Sequence, residues 1–311
     1  MAYDVSLIGK DRTEELLKVC SGLKYHRLKA DINGVCIELF SENKDFIDMW
    51  SDNFYHMSDH TRSHARIYCI NDGSGLHAEY DVSTFTMFLF DFDYYGWIKS
   101  VALGMAGNIL EQAHSIYSVH GAAIDIDGRG VTLIAPSKTG KTTQSWGLLS
   151  IDNAHLISDD WYFVELGSGR PKVTGSEKNC YIDADIADVW EEYKPLVTGV
   201  KFDNKGRGIG NVRWVRGEGS VITQTSMHTV ILLKRDHDDP EVVRRMNASE
   251  ALSYLDSHDL CNPHQLIRDD RSNAIRHRFF QDYLGSCEVY MVNTIQSATA
   301  TQETIRSILG L

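Results

Sequence analysis

The sequence predicts an α/β protein in which a P-loop nucleotide domain over residues 113–311 follows a smaller mixed α/β module over residues 1–112. Three observations carry this expectation. An apolar run, Val131-Thr132-Leu133-Ile134, reads as a buried strand and runs directly into Ala135-Pro136-Ser137-Lys138-Thr139-Gly140-Lys141-Thr142. A second apolar run, Leu156-Ile157-Ser158, ends in Asp159-Asp160. Elsewhere, short stretches rich in β-branched and aromatic residues alternate with helically spaced apolar ones.

In the first module, residues 34–40 and 66–70 read as strands and 80–90 as one or two more, with a helix over 43–54. Ile98, Val101, Leu103, Met105, Ile109 and Leu110 recur at helical spacing, which predicts a helix over 97–113 leading into the second domain. From Ser118 the texture changes. Residues 119–126, the turn Asp127-Gly128-Arg129-Gly130 and residues 131–135 read as a β-hairpin. Strands follow over 155–158, 161–166, 229–233 and 288–292, and helices over 248–255, 262–283 and 301–309. The Gly-rich and basic stretch 199–219 has the composition of a mobile loop over a phosphate site.

Composition narrows the function. The chain has 311 residues, 42% of them hydrophobic and 24% charged, with a net charge of −12. Such a charge argues against a nucleic-acid surface, so an anionic ligand needs a local basic pocket. Cys20, Cys36, Cys69, Cys180, Cys261 and Cys287 are scattered, without the close pair spacing of a zinc or redox motif. Reduced thiols in a cytoplasmic protein are the expectation. No basic-then-apolar leader opens the chain, and Asp91, Asp93 and Lys99 interrupt the longest apolar region, so neither a signal peptide nor a membrane span is expected.

The loop 135–142 carries the chemistry. Strand, loop, Gly-Lys-Thr and helix is the layout that wraps backbone N–H groups around phosphate oxygens at a helix N-terminus. Ala135, Pro136, Ser137, Lys138, Thr139, Gly140, Lys141, Thr142 and Thr143 are the candidate nucleotide-binding residues, although Ala135 stands where the pattern has its first Gly. Lys141 would reach the β- and γ-phosphates and Thr142 would ligate Mg²⁺. An acidic strand end such as Asp159-Asp160 holds that ion and its water in P-loop enzymes. Two adjacent carboxylates suggest a division of labour, one toward the metal and one as base toward a hydroxyl. A solvated Asp pair at a strand end is the competing reading. His120, opening the hairpin, reads by itself as structural.

The segment His120-Gly121-Ala122-Ala123-Ile124-Asp125-Ile126-Asp127-Gly128-Arg129-Gly130, the loop after it, and Ile157-Ser158-Asp159-Asp160 together resemble the catalytic domain of HPr kinase/phosphorylase. The related nucleotide domain of phosphoenolpyruvate carboxykinase has a similar loop and Asp-Asp strand. Glu177-Lys178-Asn179-Cys180-Tyr181 is weakly similar to a Glu-Gly-Gly-Cys-Tyr segment of that family. The strong resemblance spans residues 118–166. It implies ATP and Mg²⁺ as cofactors, with Asp159 at the metal, Asp160 as the base, and His120 against the transferring phosphoryl group or positioning the base. The residues alone leave the two Asp roles exchangeable.

There are departures. Arg207-Gly208-Ile209-Gly210 keeps part of a family signature, but Lys205 stands where that signature has Glu, and Glu177 is a candidate substitute. The family's dephosphorylation signature is not found. Arg207 and Arg213 are candidate phosphate clamps, and Lys234-Arg235 follows a strand that could line the nucleotide site.

The resulting expectation is an ATP-dependent kinase with an alcohol group as acceptor, a Ser of a protein or peptide or a small metabolite. The alternatives are a nucleotide-binding regulatory protein without phosphotransfer and, further off, a carboxykinase-type activity. HPr kinases form hexamers; so short a resemblance carries no assembly over, and a homo-oligomer stays open.

Overall fold

The computed structural model describes residues 3–203, 205–261 and 266–311. The chain divides into two units, the first formed by the residues up to Ser115 together with Leu266 and Ile267, the second by the remaining described residues from Ile116.

The first unit contains β1 (Asp4–Leu7), α1 (Lys10–Cys20), β2 (His26–Ile32), β3 (Val35–Ser41), α2 (Lys44–Asn53), β4 (Tyr55–His56), β5 (Ala65–Ile70), β6 (His77–Asp81), β7 (Thr86–Phe90) and α3 (Tyr95–His114). Its mixed seven-stranded sheet runs β1-β6-β7-β5-β3-β2-β4. Asn33 and Gly34, at φ 52° and 83°, form the tight turn between β2 and β3, a geometry that suits Asn-Gly. The Asn43 side chain starts α2 by accepting from the Asp45 N–H at 2.9 Å. The expected strand region 80–90 is an antiparallel pair, β6 and β7. The polar α1, the exposed β1 and β2 carry little periodic signal, and sequence reading passed over all three.

The second unit contains β8 (Ile116–His120), β9 (Ala122–Ile126), β10 (Arg129–Ile134), α4 (Lys141–Leu149), β11 (Ala154–Ser158), β12 (Trp161–Glu165), β13 (Lys172–Gly175), β14 (Cys180–Asp183), α5 (Ile186–Val189), α6 (Lys194–Thr198), β15 (Arg207–Gly210), α7 (Arg213–Arg216), β16 (Gln224–Lys234), β17 (Val243–Met246), α8 (Ala248–Ser257), α9 (Asp270–Gly285), β18 (Glu288–Asn293) and α10 (Ala298–Leu309). The large sheet follows β11-β9-β10-β16-β13-β12-β8, with β18 and then β17 added beside β16. The eleven-residue β16 is the seam. Its start pairs antiparallel with β13, and its end lies parallel to both β10 and β18.

Period-two alternation gives this sheet two buried faces. Ile124, Val131, Leu133, Leu156, Ile231 and Leu233 pack toward Trp146 and Leu148 of α4 and Ile305 of α10. Their alternates Ala123, Ile134, Ile157, Val230 and Leu232 pack toward Tyr162, Val173 and the α8–α9 residues Leu255, Phe279 and Phe280. A strand buried on both sides reads as an unbroken apolar run, which is why these strands were visible in the sequence.

Three expectations need correction. The strand expected over 119–126 is broken at Gly121, and β8 pairs with β12 while β9 pairs with β10 and β11. A Cβ at Gly121 would lie 2.9 Å from the Leu133 carbonyl oxygen, so the crossing needs glycine. The helix expected from 262 starts at Asp270, because Asp269 caps it by accepting from Ser272 N–H at 2.7 Å; residues 262–265 lie outside the described residues. The stretch 199–219 is more than a loop, since it holds β15 and α7. No described helix is long and apolar enough to cross a membrane.

Candidate functional site

Sheet topology brings the motifs to one edge. β9 lies between β10 and β11 and is antiparallel to both, so β10 and β11 run the same way. The loop after β10, the Asp pair after β11 and the His120-Gly121 step before β9 therefore share one sheet end. β16 and β18 are parallel to β10 and bring Lys234-Arg235 and Thr294 to the same end. Ligands in open α/β sheets bind at such carboxyl ends.

The loop leads from β10 into α4. Lys138 and Gly140 both adopt left-handed conformations, at φ 67° and 96°, and α4 begins at Lys141. Alternation of this kind turns successive N–H groups into a concave nest at a helix N-terminus. Ala135 is buried at the end of β10, and Pro136 is half-buried. The loop is tied internally by Thr139 Oγ1 donating to Pro136 O at 2.7 Å. It is tied externally by Thr294 Oγ1 donating to Thr139 O at 2.8 Å. Ser137 and Lys138 are exposed, and Thr142 and Thr143 are half-buried in the first turn of α4. Trp190 Nε1 donates to the Thr143 carbonyl at 2.7 Å.

Asp160 is the meeting point. Its Oδ1 lies 2.7 Å from Lys141 Nζ and 3.0 Å from His120 Nε2. An ionised carboxylate only accepts, so His120 carries its hydrogen on Nε2 in this pair. The Asp160 carbonyl also accepts from Gly121 N–H at 2.8 Å, which locks the His120 step to the Asp pair. Asp159, only 8% exposed, directly follows β11. A hydroxyl from Thr142 and a carboxylate from Asp159 are hard oxygen donors, the set that suits Mg²⁺.

Glu177 is a second buried carboxylate, 6% exposed. It follows Gly175, where a Cβ would lie 2.2 Å from the Ile157 carbonyl oxygen, so β13 crosses directly against the end of β11. Ser176 Oγ fixes that crossing by donating to Trp161 O at 2.7 Å. The two candidate clamps sit farther along this segment. Arg207 Nε donates to Asp183 Oδ1 at 2.9 Å within the β14–β15 pair. Arg213 Nη1 donates to Lys178 O at 3.0 Å and so braces the turn that follows Glu177. Lys234 is engaged by Asp239 and Asp236. Arg235 instead leans on the loop: its Nε donates to the Thr294 carbonyl at 3.2 Å, and its Nη2 would lie 3.6 Å from a Cβ at Gly140.

Sequence reading missed Thr294, which holds both Thr139 and Arg235, and Asp125. Asp125 is buried; its carboxylate accepts from Thr225 Oγ1 and, at 2.9 Å, from Gly128 N–H, bracing the β9–β10 hairpin. Only the alternation around Asp125, a carboxylate inside an apolar strand, could have signalled it.

No protein-family model matches the chain, and no curated protein matches it. Among solved structures the chain is similar to the Hpr(Ser) kinase/phosphatase from Coxiella burnetii, with 15% identity and a TM-score of 0.36 over 62% of this chain and 95% of that one.

Proposed function

We propose that the chain is an ATP-dependent phosphotransferase that passes the γ-phosphoryl group to a hydroxyl acceptor, a Ser of a protein or peptide or a small metabolite. The observation that carries this reading is the single carboxylate oxygen of Asp160, shared by Lys141 Nζ at 2.7 Å and His120 Nε2 at 3.0 Å. A base, a phosphate-binding lysine and an orienting histidine thus meet at the mouth of a phosphate nest.

Phosphoryl transfer asks mainly for positioning and charge neutralisation. The nest of loop residues 135–143 receives the phosphates, and Lys141 exchanges its carboxylate partner for phosphate oxygens. Asp160, still held by His120, then takes the acceptor proton. The acceptor oxygen bonds to the γ-phosphorus as the bond to the ADP oxygen breaks. Mg²⁺, held by Thr142 and Asp159, would neutralise the developing charge. Glu177, Arg207 and Arg213 are the candidates for contacting the acceptor or its phosphate, and the first unit is the candidate substrate or partner module. A cytoplasmic enzyme with ATP at hand fits the reading.

The test is ADP formation and transfer of labelled γ-phosphate with ATP, Mg²⁺ and a pool of peptides and hydroxyl metabolites. Transfer by the native chain and its loss in Lys141→Ala are expected. Tight nucleotide binding without turnover would favour the regulatory alternative, and full transfer by Lys141→Ala would remove the mechanism.

A further inference from the structure

Away from the sheet end, three side chains of different chemistry converge. Asp256 lies in the last turn of α8, Cys261 in the loop after it, and His277 on the second turn of α9. One ligand atom from each lies within 4.8 Å of the others. His277 Nε2 and Asp256 Oδ1 are already 2.8 Å apart. The cysteine is buried, whereas the aspartate and histidine face solvent.

We propose that Asp256, Cys261 and His277 form a Zn²⁺ site with its fourth position open to water. The donor set is one thiolate, one imidazole and one carboxylate, each a common ligand of Zn²⁺. Mg²⁺ prefers oxygen donors and is a poor competitor here. Zinc bonds of about 2.0–2.3 Å put tetrahedral ligand atoms roughly 3.5 Å apart. The present spacing, within 4.8 Å, leaves the two exposed side chains to move inward on binding.

The main chain of the buried ligand is already fixed. Arg276, beside His277 and itself buried, donates from Nε and Nη2 to the Cys261 carbonyl at 3.1 and 3.0 Å. The same Nη2 donates at 2.6 Å to Ser118 O in β8, the strand that ends at His120. The site therefore ties α8 and α9 together beside the strand that carries a candidate catalytic residue. A single cysteine with partners five residues before and sixteen after it makes no paired-cysteine motif, so sequence spacing does not announce it.

The full chain, stripped with a chelator, is titrated with Zn²⁺ against a chromogenic chelator, and separately with Co²⁺. One zinc per chain and a thiolate–cobalt charge-transfer band are expected, with neither displaced by millimolar Mg²⁺. His277→Gln and Asp256→Asn, both at exposed positions, should each weaken Zn²⁺ by about tenfold or more. Cys261→Ser should abolish the cobalt band. Substoichiometric binding, or unchanged affinity in His277→Gln and Asp256→Asn, would overturn the site whether or not phosphotransfer is found.

Discussion

Residues 116–165 and residues 176–216 both carry candidate site residues, and they treat charge in opposite ways. In the first stretch, charged groups from three separate segments converge on one atom: Lys141 and His120 both reach Asp160 Oδ1. In the second, the two candidate arginines each take a separate partner within the stretch, Arg207 with Asp183 across a two-stranded pair and Arg213 with the carbonyl of Lys178. Convergence costs desolvation and mutual restraint, and it builds a place where a reacting group can be gripped. Separate pairing holds Arg207 and Arg213 in place without gathering their charges on one atom. The comparison separates the residues expected to carry the chemical step from Arg207 and Arg213, whose proposed contact with the acceptor is expected to matter less.

Substitutions can break or sharpen it. Lys141→Met removes a convergent charge and is expected to reduce transfer by about 10²–10³-fold, the scale seen when one donor to a developing charge is lost. Arg207→Ala should reduce transfer less than tenfold; an equal loss in both variants would break the comparison. Gly175→Val probes the junction between the two stretches. Its Cβ has backbone 2.2 Å away, so a stability loss of about 1–3 kcal/mol is expected in urea unfolding, with Asp159 disturbed as well. Arg207→Ala itself should cost no more than about 1 kcal/mol, because both partners are nearly half exposed, at 43% and 42%. The smallest effect is a pH control outside both stretches. Burial pushes the Cys287 thiol up to about 12. An unfolded thiol titrates near ~8.5, so the folded state favours the protonated form. That contribution is complete below the unfolded value and is lost as pH rises toward 12. Cys287→Ala should flatten the alkaline fall in urea midpoint, and an unchanged fall would assign it to other groups.

The same contrast explains what the sequence could tell. β9, β10, β11, β16 and β18 are apolar runs bounded by turns, and α4 follows a loop with Gly140 where a left-handed residue is needed. Burial on both faces made them legible. β13, β14, β15 and α7 are four residues each, with mixed polarity, and β14 and β15 pair only across the intervening α5 and α6. Nothing in the composition of Lys172-Val173-Thr174-Gly175 marks it as a strand; its pairing with β12 and β16 does. The candidate residues were singled out by motif chemistry, and a role for His120 beside the Asp pair came only from a resemblance; the His120–Asp160 contact itself appears in the structure. The break at Gly121 that makes this joining possible was hidden, because Val119 through Ile126 reads as one continuous strand.

The central claim is that Asp160 is the base at which the nucleotide and acceptor halves of the reaction meet. Its most direct test compares native chain and Asp160→Asn for nucleotide affinity and for single-turnover transfer of labelled γ-phosphate to the acceptor pool. The predicted result is affinity kept within a few-fold and transfer lost by about 10²–10⁴-fold, the usual worth of a general base. Native-level transfer by Asp160→Asn would contradict the account.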